Sequence, residues 1–199
     1  MNDREKIGSK ITHRGREIGI EAKNRQLRIR LATGSESQNK LRERLSVILK
    51  KHHLSRWFFT YEVVIDESDF SHSHPVLTLA TNSDGAKSEM GLLSAFLHEQ
   101  CHWFLSAHRV RLEKAMCELR HAYPQVKVGR KEGGARDEES TYLHLLVCLL
   151  EFEALSEVVG RKRAIGFVLR KPYYTWIYQR VVSDYRTLKR VALKEDLIP

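Results

Sequence analysis

At 199 residues, 42% of them hydrophobic, the chain is long enough for one domain with a sizeable core. Its longest apolar run, Leu143 to Leu150 around His144, falls well short of the about 20 residues that cross a bilayer, so no membrane span is expected. Lys and Arg outnumber Asp and Glu by 34 to 25, for a formal charge of +9, but the cations are scattered from Arg4 to Lys194. That scatter reads as solvated faces, and it leaves room for an acidic partner such as nucleic acid, an anionic membrane surface or an acidic protein.

Three cysteines, Cys101, Cys117 and Cys148, show no CxxC spacing, and the start Met-Asn-Asp-Arg-Glu-Lys has no apolar leader. A reducing, cytoplasmic setting is the expectation. Residues 1–25 are polar and of mixed charge, expected as a mobile or loosely docked arm, with 26–199 as a single domain.

From Gln26 to Leu31 polar and apolar residues alternate, which predicts a strand with Leu27, Ile29 and Leu31 on one face. Gly34-Ser35-Glu36-Ser37 turns the chain, and Leu41, Leu45, Val47, Ile48 and Leu49 then recur at helical spacing up to Lys51. The aromatic and β-branched stretch Trp57–Asp66 predicts a strand, and Pro75–Thr81 a second one. Between them, His72 and His74 form an HxH pair in a polar loop, where solvation is the plain reading and metal binding the alternative.

Ser88 and Glu89 open a helical pattern that runs to Ala122, too long for one globular helix, so a break near His108 is expected. A basic glycine-containing loop covers Gln125–Asp137, and a helix follows from about Glu138 to Val159, stopped by Gly160. An amphipathic stretch lies around Ala164–Leu169, and beyond Pro172 a further helix extends to about Leu193. The fold class is therefore α+β: a small sheet packed against one central helix, with further helices towards the C-terminus.

The chemistry concentrates at His98-Glu99-Gln100-Cys101-His102, an HExxH pentapeptide in an apolar helical setting. Residues four apart on a helix share a face, so both imidazoles can reach one Zn²⁺ with Glu99 beside them. The plainer alternative is a half-buried helix whose histidines pair with neighbouring carboxylates or carbonyls. On the face leading to the histidines, Gly91, Ser94 and Ala95 are small enough to admit another backbone.

The segment resembles the active-site helix of the zincin metallopeptidases. That resemblance implies two zinc ligands, His98 and His102, and a general base, Glu99. It also implies a zincin-like fold, hydrolysis of peptide or protein substrates, and extended substrate paired along the strand before the helix, here Val76–Thr81.

A catalytic zinc takes three protein ligands and keeps one position open. On the otherwise apolar helix after Asp137, the residues Thr141, His144, Cys148 and Glu151 form one stripe at spacings of three, four and three. His144 and Glu151 lie roughly 10 Å apart along the axis, so only one of them can join the ion. Glu151-Phe152-Glu153-Ala154 resembles the glutamate motif of several gluzincins, where the third ligand is Glu; those families usually carry Asp four residues on, where this chain has Leu155. His144 makes an all-histidine site instead. Glu151 is preferred, with the other residue orienting a ligand histidine.

His108 sits ten residues after His98, as in the metzincin motif, but Leu105 occupies the position of the glycine that turns that chain back. Tyr174, Tyr178 and His108 are candidate donors to the oxyanion. The competing expectation, from another class, is a basic nucleic-acid-associated protein with a structural or inactive metal site. A protease acting on DNA-bound proteins combines the two.

Overall fold

The computed structural model describes residues 20–22 and 25–199, and the chain orders as β1 (Ile20–Ala22), β2 (Arg25–Leu31), α1 (Glu36–Lys51), β3 (Glu62–Asp66), β4 (Leu77–Ala80), α2 (Glu89–Ala107), α3 (Arg109–Ala122), α4 (Glu138–Val159), α5 (Arg161–Val168), α6 (Thr175–Ser183) and α7 (Tyr185–Lys194). Most of the expected N-terminal arm lies outside the described residues. Three of its residues, Ile20–Ala22, pair antiparallel with β2.

The sheet runs β1-β2-β3-β4, and β2, β3 and β4 are mutually parallel, with Ile29 opposite Val63 and Val63 opposite Leu77. The alternation in β2 buries Leu27 and Ile29 as expected. Ser35 caps α1 by accepting the Gln38 amide, Glu36 sits in its first turn and Lys50 and Lys51 in its last, all favourable to the helix dipole. α1 is the crossover that lets β2 and β3 run parallel, and it packs on the sheet and on α2 through Leu41, Leu45, Ile48 and Leu49.

The strand expected over Trp57–Asp66 forms only at Glu62–Asp66. Gln100, on α2, takes the preceding backbone for itself. Its Oε1 accepts the amides of Phe59 and Thr60 at 2.7 and 2.9 Å, and its Nε2 donates to Thr60 O at 3.0 Å. Trp57 is buried with Nε1 donating to Glu157, and Phe58 meets Phe96 edge-on at 5.5 Å. The aromatic block is a wedge in the core, not a pleated ribbon.

β4 is shorter than Pro75–Thr81, and its outer edge is not free. Thr78 exchanges both backbone hydrogen bonds with His72, at 2.8 and 3.0 Å, and Ser71 Oγ accepts the Ala80 amide. An extended substrate cannot pair there as the resemblance implies without displacing this segment.

The long helical pattern breaks where expected, with His108 between α2 and α3. Ser88 caps α2, and a Cβ on Gly91 would lie 2.6 Å from Gly85 O, so glycine is what lets the 84–87 turn press on the helix. α4 begins at the cap Asp137 and ends at Gly160, whose φ of 85° stops it. It packs against α2, α3, α5, α6 and α7, at the centre of the helical layer. The single C-terminal helix expected to Leu193 is two, divided at Asp184, whose carboxylate accepts from Arg180 and from Tyr123. Among the described residues no helix is long and apolar enough to cross a membrane.

Candidate metal centre

Packing of α4 on α2 brings His98, His102 and His144 together. One ring nitrogen of each lies within 4.8 Å of the others, and the ring centroids stand 5.1, 5.6 and 5.0 Å apart for the pairs 98–102, 98–144 and 102–144. Hydrogen-bond partners set the orientation of two of the rings. His144 Nδ1 donates to Ser140 O at 2.7 Å, leaving Nε2 with its lone pair. His98 Nδ1 faces Glu151 Oε2 at 2.9 Å. His102 makes no protein hydrogen bond among the described residues.

Electrostatics divide the three rings. Burial, then the charge of His98, lowers His144 to about 4; burial, then His98 and His144, lowers His102 to about 2. Both keep free lone pairs at neutral pH. Burial pulls on His98 the same way, but hydrogen bonding to Cys148 and Glu151 outweighs it and raises His98 to about 10.

Glu151 lies on the far side of His98, fully buried, with four donors on two oxygens. Ser94 Oγ and Lys171 Nζ reach Oε1, both at 2.5 Å; His98 Nδ1 and Tyr178 OH reach Oε2, at 2.9 and 2.6 Å. Burial would raise this carboxylate, yet Lys171 and His98 hold it well below the usual range. A carboxylate offers about four lone-pair positions. All of them are used here, and Glu151 groups with His98 and Cys148, whereas His144 groups with His98 and His102.

The rest of the stripe divides. Cys148 is fully buried and within 4.8 Å of donor atoms of His98 and Glu151. Thr141 turns instead to the loop before α4, accepting the Ala135 amide and donating to Asp137 O.

Glu99, only 6% exposed, shares a space with His98, and burial above all raises it to about 7. That space is a cavity of about 470 Å³ lined by His98, Glu99, Lys171, Tyr173 and Tyr174 among others. Tyr174 adopts a left-handed backbone at φ 54°, a conformation that a bulky residue rarely takes. Its ring lies parallel to His98, 5.9 Å away and 12° off plane, and 4.5 Å from the ring of His144. Its hydroxyl has no protein partner among the described residues.

The other candidates are not members of the triangle. His74 stacks on Trp103 and its Nδ1 meets Ser73 Oγ. His108 ends α2 with Nδ1 donating to Phe104 O. Tyr178 is fully buried with its hydroxyl held by Glu151 and Lys171. Lys171 and the role of Ser94 were not visible in the sequence: Lys171 stands in a basic tail among many solvated cations. Comparison of the chain with protein-family models, curated proteins and solved structures gives no match.

Proposed function

We propose that the chain is a zinc-dependent peptidase of the zincin kind, with His98, His102 and His144 as ligands and Glu99 as general base. One observation carries this reading: three imidazoles from two packed helices converge within 4.8 Å, and one of them, His98, lines a cavity beside the buried carboxylate of Glu99. Three histidine nitrogens are a recognised donor set for catalytic zinc.

When bound, zinc supplies Lewis acidity, which polarises a scissile carbonyl and acidifies water. The chain's own groups do the rest. Glu151 holds His98 through Nδ1 and Ser140 O holds His144 through Nδ1, so that both rings present Nε2 to the ion. Glu99, raised to about 7, takes a proton on its carboxylate from the attacking water and returns it to the leaving amine nitrogen. Tyr174 is placed over the histidine rings with an uncommitted hydroxyl, and it donates to the carbonyl oxygen as that atom gains charge. Tyr178 and His108 are engaged elsewhere.

The reading is tested by loading the full chain with zinc and following hydrolysis of a mixed peptide library. Glu99→Gln should abolish cleavage while the zinc stays bound. Cleavage that persists in Glu99→Gln, or a parent chain that hydrolyses nothing while zinc-loaded, refutes it.

A further inference from the structure

His98 has donors on both sides. On one side lies the histidine triangle. On the Nδ1 side, Cys148 and Glu151 complete a second group with His98, all donor atoms within 4.8 Å and all three residues buried. Imidazole, thiol and carboxylate together suit zinc or cobalt as well as the triangle does. Two adjacent metal sites sharing one histidine would pull that ring both ways.

The second group already has a cation. Lys171 Nζ lies 2.5 Å from Glu151 Oε1 and 2.7 Å from Tyr178 OH, with its side chain only 5% exposed. The faces of Tyr178, Tyr173 and Phe167 surround it at 4.6, 5.4 and 5.5 Å from ring centroid to Nζ. A carboxylate, a phenol and three aromatic faces are what a bound cation requires when it leaves water.

We infer that Lys171 is the resident cation of this second cluster, a positioning residue that keeps metal off the Nδ1 side of His98 and confines the protein to one ion, on the histidine triangle. The inference rests on the metal reading above. With Lys171 in place, Glu151 accepts hydrogen bonds and orients His98. Without it, the Glu151 carboxylate, the Cys148 thiol and His98 Nδ1 remain as a buried donor set without the ammonium, which a divalent ion fills. On binding, Cys148 Sγ and His98 Nδ1 each give up a proton to solvent, so that both atoms present lone pairs to the ion.

The experiment titrates the metal-free full chain with cobalt(II) and follows both stoichiometry and thiolate-to-cobalt charge-transfer absorption. The parent should take one equivalent with no thiolate band. Lys171→Met should take a second equivalent with the band, Lys171→Met/Cys148→Ser should lose the band, and Lys171→Arg should behave as the parent. If Lys171→Met does not fold without metal, cobalt should restore its fold together with the band. Lys171→Met taking one equivalent without the band, or failing to fold with cobalt present, overturns the inference and leaves the histidine site standing. A thiolate band in the parent overturns it too. A parent that takes no cobalt overturns the histidine site, and the inference falls with it.

Discussion

The proposed general base, Glu99, should destabilise the fold that carries it. Glu99 is 6% exposed, so solvent does little to dilute the penalty of its charge, and burial raises it from the ordinary 4.5 to about 7. Between those two values the unfolded chain has lost the Glu99 proton while the folded chain keeps it. Stability therefore falls as pH rises from 4.5 to 7, and the full penalty is present above 7. At about 1.4 kcal/mol per pH unit it amounts to about 3 kcal/mol. A glutamine side chain at this position keeps the shape of the neutral carboxyl and carries no charge. With metal chelated, Glu99→Gln should be more stable than the parent by about 3 kcal/mol at about pH 8 and equal to it near pH 4. With a urea slope of about 2 kcal/mol/M, the midpoint at about pH 8 should rise by about 1.5 M. No gain at the higher pH, or the same gain at both, would refute the reasoning.

Other consequences follow from the same geometry. His144→Ala should abolish tight zinc binding, whereas Glu151→Gln, which keeps a hydrogen-bond acceptor behind His98, should weaken it about 10–100-fold in a competition titration; the reverse order would restore Glu151 as ligand. Because His98 is raised to about 10, zinc binding near pH 7 must displace a proton from it, so calorimetry in buffers of different ionisation enthalpy should report release of about one proton per metal, and affinity should rise with pH. Tyr174→Phe should lower kcat about 100-fold with zinc content unchanged, measured by steady-state hydrolysis. Gly134→Ala would drive a Cβ into the backbone carbonyl of Lys127, so it should lower the unfolding free energy by about 2 kcal/mol or more in denaturant titration and loosen the cavity wall.

What the sequence made legible was local. Asp137 and Gly160 bound α4 because capping chemistry is written in the end residues themselves, and the α2–α3 break at His108 follows from length alone. That β3 starts at Glu62 and not at Trp57 was not legible, because the side chain that takes the intervening amides, Gln100, is some 40 positions away. Asp184 likewise divides the last helix with Tyr123 and Arg180 held on its carboxylate, one from another element.

The site obeys the same division. Helical spacing alone placed His98 with His102 and His144 with Glu151 on facing stripes. The choice between His144 and Glu151 depends on Ser94, Lys171 and Tyr178, three donors from three separate segments that join His98 on the glutamate. No spacing rule on α4 contains them.

The central claim is an all-histidine site on the Nε2 side of His98. X-ray absorption on the zinc-loaded full chain tests it most directly, since the fine structure resolves the number and kind of scatterers around the ion. Three imidazole nitrogens at about 2.0–2.1 Å, with the remaining position light and no sulfur, is the predicted result. A sulfur scatterer at about 2.3 Å would place the ion with Cys148 and Glu151 instead, and contradict the account.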